Sequence, residues 1–109
     1  MPKNDFYCER ILSGKIKIKK LYESEKILAF YHTKPSYDIH IVIVPKEHID
    51  DVTNLKEKHK EVIWEIMKAA EEIIRDLNIK NEGVRLITNS GKYQDSKHLH
   101  FHLISGDNL

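Results

Sequence analysis

Three histidines near the C-terminal end of the chain alternate with large apolar residues. They lie in the run His98-Leu99-His100-Phe101-His102-Leu103-Ile104. Because successive side chains of a strand point to opposite faces, a strand over residues 98–104 would place the three imidazoles on one face. The alternating leucines and phenylalanine would then pack on the other face. The sequence therefore predicts a strand with one packed face and one face of imidazoles.

Imidazoles in a row can bind a metal, attack an electrophile or simply face solvent. A strand rises ~3.3 Å per residue, so His98 and His102 would stand about 13 Å apart, and one ion with bonds of ~2.0 Å would reach two of the three histidines at most. In nucleophilic catalysis the middle imidazole, His100, has a neighbour on each side that can hold its tautomer or bind an oxyanion. An ordinary pKa near ~6.5 suits attack on phosphorus, because the resulting N–P bond is labile.

Two further features could belong to the same site. The polar loop over residues 89–97 supplies amide, hydroxyl and backbone N–H groups that suit a phosphate. His40 is the one polar residue of the β-branched run over residues 39–44. A lone strand histidine is usually structural, so His40 becomes a site candidate only if other histidines lie nearby.

The composition is that of a single small domain, residues 1–109. Its 18 Lys and Arg residues balance 17 Asp and Glu residues, so net charge does not indicate a nucleic acid or a membrane as partner. Cys8 is the only cysteine, which excludes an intrachain disulfide, and no N-terminal apolar run is long enough for a signal peptide. We expect a cytoplasmic protein that binds neither nucleic acid nor a membrane.

Hydrophobic periodicity predicts an antiparallel α+β domain, because the strands precede and follow one long helix instead of alternating with helices. A short helix is predicted over residues 6–12, with Asn4 or Asp5 as its cap. Strands are predicted over residues 15–22, 27–31, 39–44, 84–88 and 98–104. The first of these, in which lysines alternate with apolar residues, is predicted to be an edge strand or its lead-in.

The long helix is predicted to begin at a cap formed by Thr53 or Asn54 and to end at about Leu77. Trp64 lies just off its apolar stripe and is interpreted as a packing or subunit-contact residue. His59 lies among lysines and is predicted to be solvated.

The histidine run resembles the His-x-His-x-His-x-x signature, with apolar x, of the histidine triad (HIT) family of nucleotide hydrolases and transferases. Similar residues occur along nearly the whole chain: Ile11-Leu12-Ser13-Gly14, Leu28-Ala29-Phe30, His40, Val42-Ile43-Val44-Pro45-Lys46, His48-Ile49, Asn89, Gln94 and Ser105-Gly106. The resemblance is closest to the small Hint-like branch, the purine nucleoside phosphoramidases. It implies a five-stranded antiparallel sheet with one long and one short helix, and a homodimer that joins two such sheets into ten strands.

The resemblance also implies a mechanism that requires no cofactor. His100 would attack the α-phosphate of a nucleoside phosphoramidate or similar purine nucleotide conjugate, and water would hydrolyse the nucleotidyl-histidine. His102 would contact the phosphate, while His98 and His40 would orient the others by hydrogen bonding, with the His98 carbonyl fixing the tautomer of the nucleophile. The implied substrate-binding residues are Asn89, Gln94, Asp95, Ser96 and His32.

Three positions depart from the family pattern. His32 stands where relatives carry an Asp or Asn that holds the ribose, which leaves ribose recognition and purine preference open. Asp95 stands where relatives carry Ser or Thr, and a carboxylate there could repel phosphate or favour a cationic leaving group such as a lysine amine. Asp5 stands where many bacterial relatives have the first cysteine of a structural zinc site. The candidate zinc ligands here are therefore Asp5, Cys8, His48 and His98.

Two other functions fit the same resemblance. One is a dinucleoside polyphosphate hydrolase, which shares the chemistry. The other is a nucleotide-binding regulatory or scaffold dimer whose enzymatic rate is incidental.

Overall fold

The computed structural model describes residues 7–109, with the backbone alone described for Cys8 and Glu9. The strands are β1 (Lys20–Glu23), β2 (Ile27–Tyr31), β3 (Tyr37–Pro45), β4 (Arg85–Thr88) and β5 (Phe101–Asn108). The long helix α1 covers Lys60–Leu77, and a five-residue π-helix covers Tyr7–Ile11. Short 3₁₀ turns lie at Val52–Asn54, Glu57–His59 and Gly91–Tyr93. Within this described part of the chain, no helix is both long enough and apolar enough to cross a bilayer.

All five strands form one antiparallel sheet in the order β1-β2-β3-β5-β4, which confirms the predicted fold. The strand β3 lies in the middle of the sheet. Its β-branched side chains are buried on both faces, as expected for a central strand. It pairs with β2 on one side and with β5 on the other, where Val42 lies opposite His102 and His40 opposite Ile104. The predicted lysine-rich edge strand is β1, shorter than the run that suggested it.

The two faces of the sheet bury different partners. Helix α1 covers one face, and its buried residues Val62, Ile66, Ala69, Ala70 and Ile73 recur at helical spacing. Alternate residues of the strands meet this helix: Ile27, Ala29, Ile41, Ile43, Phe101 and Leu103. The other face packs Leu28, Phe30, Val42 and Val44 against Tyr7 and Ile11 of the π-helix. Because side chains alternate, His40 and His102 lie on this second face.

The long helix ends at Leu77 as predicted, but its predicted start at Thr53 or Asn54 is wrong. The Asp51 side chain accepts hydrogen bonds from the Thr53 backbone N–H at 2.8 Å and from its hydroxyl at 2.6 Å, which caps a single 3₁₀ turn. Leu55 then has extended backbone, with φ −69° and ψ 139°, so the helix cannot continue through it. Regular helix begins only at Lys60. At the other end Asn78 adopts a left-handed conformation with φ 55°, which closes the helix.

The prediction that His59 is solvated is also wrong. Its side chain is only 4% exposed, because the turn that precedes α1 directs it inward. Its Nδ1 accepts the Lys56 backbone N–H at 2.9 Å, and its Nε2 lies 3.2 Å from Glu47 Oε2. Both ring nitrogens therefore serve the connection between β3 and α1.

The histidine strand begins three residues later than predicted. Regular pairing starts at Phe101, and the Leu99 backbone N–H instead donates to the Ile49 carbonyl at 2.6 Å. Residues 98–100 thus cross the end of β3 before the chain enters the sheet. The predicted alternation still holds, since Leu99, Phe101 and Leu103 all join the core beneath α1.

The predicted short helix over residues 6–12 is found as the π-helix Tyr7–Ile11, followed by a turn to Gly14. Its predicted caps, Asn4 and Asp5, lie outside the described residues. Trp64 is 66% exposed on α1, so it does not pack within the protomer.

Candidate active site

The backbone just before β5 fixes the tautomer of His100. Its Nδ1 lies 2.7 Å from the His98 carbonyl oxygen, and a carbonyl can only accept a hydrogen bond. The proton of the neutral ring therefore resides on Nδ1, and Nε2 carries the lone pair. Burial lowers the pKa of His100, whose side chain is only 3% exposed, so the ring is neutral near pH 7. Within residues 7–109 no hydrogen bond engages its Nε2. His100 thus has the tautomer that a nucleophile needs.

Two other groups hold His100 in place. The Thr88 hydroxyl donates to the His100 carbonyl at 2.8 Å, which joins the end of β4 to the residue before β5. The Tyr7 ring packs on the imidazole with centroids 4.6 Å apart. Burial raises the pKa of Tyr7, so this phenol stays neutral across the physiological range. The nucleophile candidate therefore sits in a mostly apolar, rigid environment.

His40 and His102 form a directed pair between the neighbouring strands β3 and β5. Their Nε2 and Nδ1 atoms are 2.8 Å apart, and the Ser36 backbone N–H donates to His40 Nδ1 at 3.0 Å. Because His40 Nδ1 accepts, its proton resides on Nε2 and is donated to His102 Nδ1. The proton of His102 must then reside on its Nε2. The Ser36 N–H, His40 and His102 thus form a hydrogen-bonded chain that makes His102 Nε2 an N–H donor.

Burial keeps this pair neutral. It lowers the pKa of His40 to about 4, with the nearby His32 adding to the effect. It lowers the pKa of His102 to about 3, where His100 and His40 also disfavour a second positive charge. The rings of His100 and His102 lie 4.9 Å apart and nearly perpendicular, so a lone pair and an N–H donor are side by side. That combination can attack a phosphoryl group and stabilise its oxygens.

His98 contacts His100 through its backbone carbonyl, and its ring makes a separate hydrogen bond. Its carbonyl holds His100, but its fully buried ring donates through Nε2 to the Pro45 carbonyl at 2.8 Å. This bond anchors the segment before β5 to the end of β3. The orienting contact to His102 comes from His40 instead.

The candidate zinc ligands are described only in part, because Asp5 and the Cys8 side chain lie outside the described residues. The rings of His48 and His98 meet edge to face at 5.1 Å. Their Nε2 atoms are engaged, by Asp50 Oδ1 at 2.6 Å and by the Pro45 carbonyl respectively. A zinc ion would have to use the Nδ1 atoms or displace these bonds.

The predicted binding residues of the loop before His98 have different surroundings. Asn89 follows Thr88, which pairs with Phe101, so its backbone is next to the His100 segment. The negative charge of Asp95 partly offsets the lowering of the pKa values of His32 and His100. Ser96 is buried. The Gln94 amide donates to the Asp50 carbonyl at 2.6 Å, and its Oε1 is buried with no hydrogen-bond partner among residues 7–109.

His32 joins the site from the loop between β2 and β3. Its ring stacks on His40, with centroids 4.3 Å apart and planes 29° from parallel. One ring nitrogen from each of His32, His40 and His102 lies within 4.8 Å of the others. Each of the three is a predicted site residue, but the sequence did not predict that their ring nitrogens would meet in one cluster.

Three groups that hold the imidazoles were not predicted from the sequence: Tyr7, the Ser36 backbone N–H and the Thr88 hydroxyl. Tyr7 is four residues before Ile11, which is one helical turn and hence the same buried face, so periodicity could have indicated it. The Ser36 contact depends on backbone geometry after Pro35, for which the sequence carries no signal.

This fold is that of a known family. A family model for the HIT domain matches residues 13–109, and the chain belongs to the HIT family. An uncharacterized HIT-like protein from Helicobacter pylori strain 26695 is 36% identical over 101 residues, covering 91% of this chain and 94% of the relative.

Solved structures agree with this assignment. A HIT family hydrolase from Clostridium thermocellum is 34% identical with a TM-score of 0.88, covering all of this chain and 96% of its own. A histidine triad nucleotide-binding protein from Candida albicans is 26% identical with a TM-score of 0.81, covering 94% of this chain and 76% of its own.

Proposed function

We propose that the protein hydrolyses nucleoside phosphoramidates or similar purine nucleotide conjugates through a covalent nucleotidyl intermediate on His100. The observation that carries this proposal is the 2.7 Å bond from His100 Nδ1 to the His98 carbonyl, because it leaves the Nε2 lone pair available. In the first step a bond forms between Nε2 and the α-phosphorus as the bond to the leaving nitrogen breaks. The amine leaves with a proton from solvent. Water then breaks the N–P bond, which releases the nucleoside monophosphate and restores the lone pair.

The other imidazoles supply what this displacement needs. His102 presents an N–H donor to a non-bridging oxygen of the phosphoryl group, and His40 holds that donor through the 2.8 Å bond. Because these groups are oriented before the substrate arrives, they need no reorganisation as charge develops. The names of the Clostridium thermocellum and Candida albicans relatives, a hydrolase and a nucleotide-binding protein, support the same chemistry.

The Asp95 carboxylate favours an amine as leaving group. Its negative charge, which acts on His32 and His100, would attract a cationic amine and repel the nucleoside polyphosphate released from a dinucleoside polyphosphate. The dinucleoside polyphosphate hydrolase is therefore the second candidate. Comparing rates on a lysyl-adenylate and on a diadenosine polyphosphate ranks the two.

The test of the mechanism is the covalent adduct. Intact-protein mass after rapid acid quench with a nucleoside phosphoramidate should show one added nucleotidyl group, and peptide mapping should place it on His100. His100→Ala should show no adduct. If the wild type binds nucleotides tightly but forms no adduct, the protein is a nucleotide-binding regulatory or scaffold dimer instead.

Two substitutions of His40 test its two hydrogen bonds separately. His40→Asn keeps an acceptor for the Ser36 backbone N–H but has no donor that reaches His102, so kcat should fall about 10- to 100-fold with a smaller change in KM. His40→Gln places an amide N–H near the original Nε2 position and should recover most of that loss. Steady-state kinetics of the two variants is the measurement. Equal loss in both would show that His40 serves packing alone.

The homodimer implied by the family resemblance belongs to the same proposal. The exposed indole of Trp64 on α1 is an apolar surface that a second subunit would cover.

A further inference from the structure

The loop that carries His32 determines which of its two ring nitrogens bears the proton. The Lys34 backbone N–H donates to His32 Nδ1 at 2.9 Å, so Nδ1 is an acceptor and the proton of the neutral ring resides on Nε2. Burial lowers the pKa of this partly buried ring. His32 therefore offers a neutral N–H donor, and it offers no lone pair.

The cluster of His32, His40 and His102 has the composition of a metal site, but its tautomers do not suit a metal. A metal ligand must present a lone pair. His32 and His40 each use the Nδ1 lone pair to accept a backbone N–H, and each carries its proton on Nε2. To bind a metal through Nε2, both rings would have to move the proton and lose a backbone hydrogen bond. The cluster suits an anion better than a cation.

Two donors of this cluster are available to a ligand. The N–H of His40 is used by His102, which leaves the Nε2–H groups of His102 and His32. The His32 and His102 rings are 28° from parallel with centroids 5.9 Å apart. The ribose diol and a phosphoryl group both present two oxygens, but the two non-bridging oxygens of the phosphoryl group share a negative charge. Hydrogen bonds to a charged acceptor are also the stronger ones.

We propose that His32 is a second donor to the substrate phosphoryl group, contacting one non-bridging oxygen while His102 contacts the other. This assignment rests on the proposed function in one respect, that the bound anion is the phosphoryl group of the substrate. A neutral donor pair binds an anion without requiring a buried positive charge, and it can do so beside the negative Asp95. The contact distinguishes a nucleotide from the corresponding nucleoside.

Calorimetric titration of the 109-residue protein with AMP and with adenosine tests the assignment. His32→Asn keeps an acceptor for the Lys34 N–H but lacks the outer donor, and His32→Gln carries an amide N–H near the Nε2 position. We expect His32→Asn to lower the ratio of AMP affinity to adenosine affinity about tenfold or more, and this ratio cancels any contact that the new asparagine makes with the ribose, which both ligands carry. His32→Gln should recover most of the AMP affinity.

Three outcomes would overturn the assignment. One is unchanged affinity for both AMP and adenosine in His32→Asn, and another is an equal change for AMP and adenosine, which would place the contact on the nucleoside. The third is stoichiometric Ni²⁺ binding that is lost in His32→Asn, because it would show that the cluster presents lone pairs. The adduct experiment is independent of these titrations. An adduct on His100 with an unchanged ratio of AMP to adenosine affinity in His32→Asn refutes the His32 contact alone, and the reverse result refutes the covalent mechanism alone.

Discussion

Replacing His100 by Asn should lower kcat/KM for a nucleoside phosphoramidate by at least about 10³-fold, as expected for loss of a nucleophile. The asparagine amide can still donate to the His98 carbonyl, so the local backbone arrangement is kept. What disappears is the lone pair at the Nε2 position. Steady-state kinetics, with circular dichroism to verify folding, is the measurement.

His59→Asn is the matched control, since it alters a buried histidine far from the proposed chemistry. His59 bonds to Glu47 and to the Lys56 backbone, so its loss should lower the thermal midpoint while kcat/KM stays close to that of the wild type. If His100→Asn retains activity within tenfold of the wild type, His100 is not the nucleophile.

Replacing Leu103 by Ala should reduce the free energy of unfolding by about 2–5 kcal/mol. Leu103 is fully buried between the sheet and α1, where truncation removes apolar contacts and leaves a cavity. It is also the residue next to His102, so the same packing that stabilises the fold keeps β5 rigid. Denaturant unfolding at one fixed protein concentration measures the change, because a dimer would make apparent stability depend on concentration.

Val52→Ala provides the comparison for this substitution. Val52 is 41% exposed in the turn before α1, and its truncation should change the free energy of unfolding by less than about 0.5 kcal/mol. A loss below about 1 kcal/mol in Leu103→Ala would mean that the core collapses around the smaller side chain. In that case the sheet beneath the histidines is more deformable than its burial indicates.

Much of the fold could be predicted because its signals are local and periodic. The β-branched run of β3 and the alternation of Phe101 and Leu103 identified strands, and the apolar stripe identified α1 as far as Leu77. The start of α1 could not be predicted in this way. It depends on the Asp51 side chain capping a separate turn and on His59 accepting the Lys56 backbone N–H, and an apolar stripe carries no signal for such local side-chain contacts.

The candidate site was predicted in composition but not in arrangement. The histidine spacing and the family resemblance identified the four imidazoles, and the resemblance indicated that the His98 carbonyl holds His100. Strand spacing could not show that His40 would meet His102, because that contact depends on the register between β3 and β5. The stacking of His32 on His40 likewise depends on the path of a loop.

The pairing of β3 with β5 has a consequence for how the protein acquires activity. His40 and His102 are 62 residues apart in the chain, and the whole of α1 lies between them. Contacts of such long range form late in folding, because a large loop must close before they contribute any stabilising energy. A chain that has formed α1 and its local hairpins, but not this pairing, would contain nearly native secondary structure and no oriented donor for phosphate. Recovery of the proposed turnover after dilution from denaturant would therefore follow the pairing of β3 with β5, and its time course would report when this long-range contact forms.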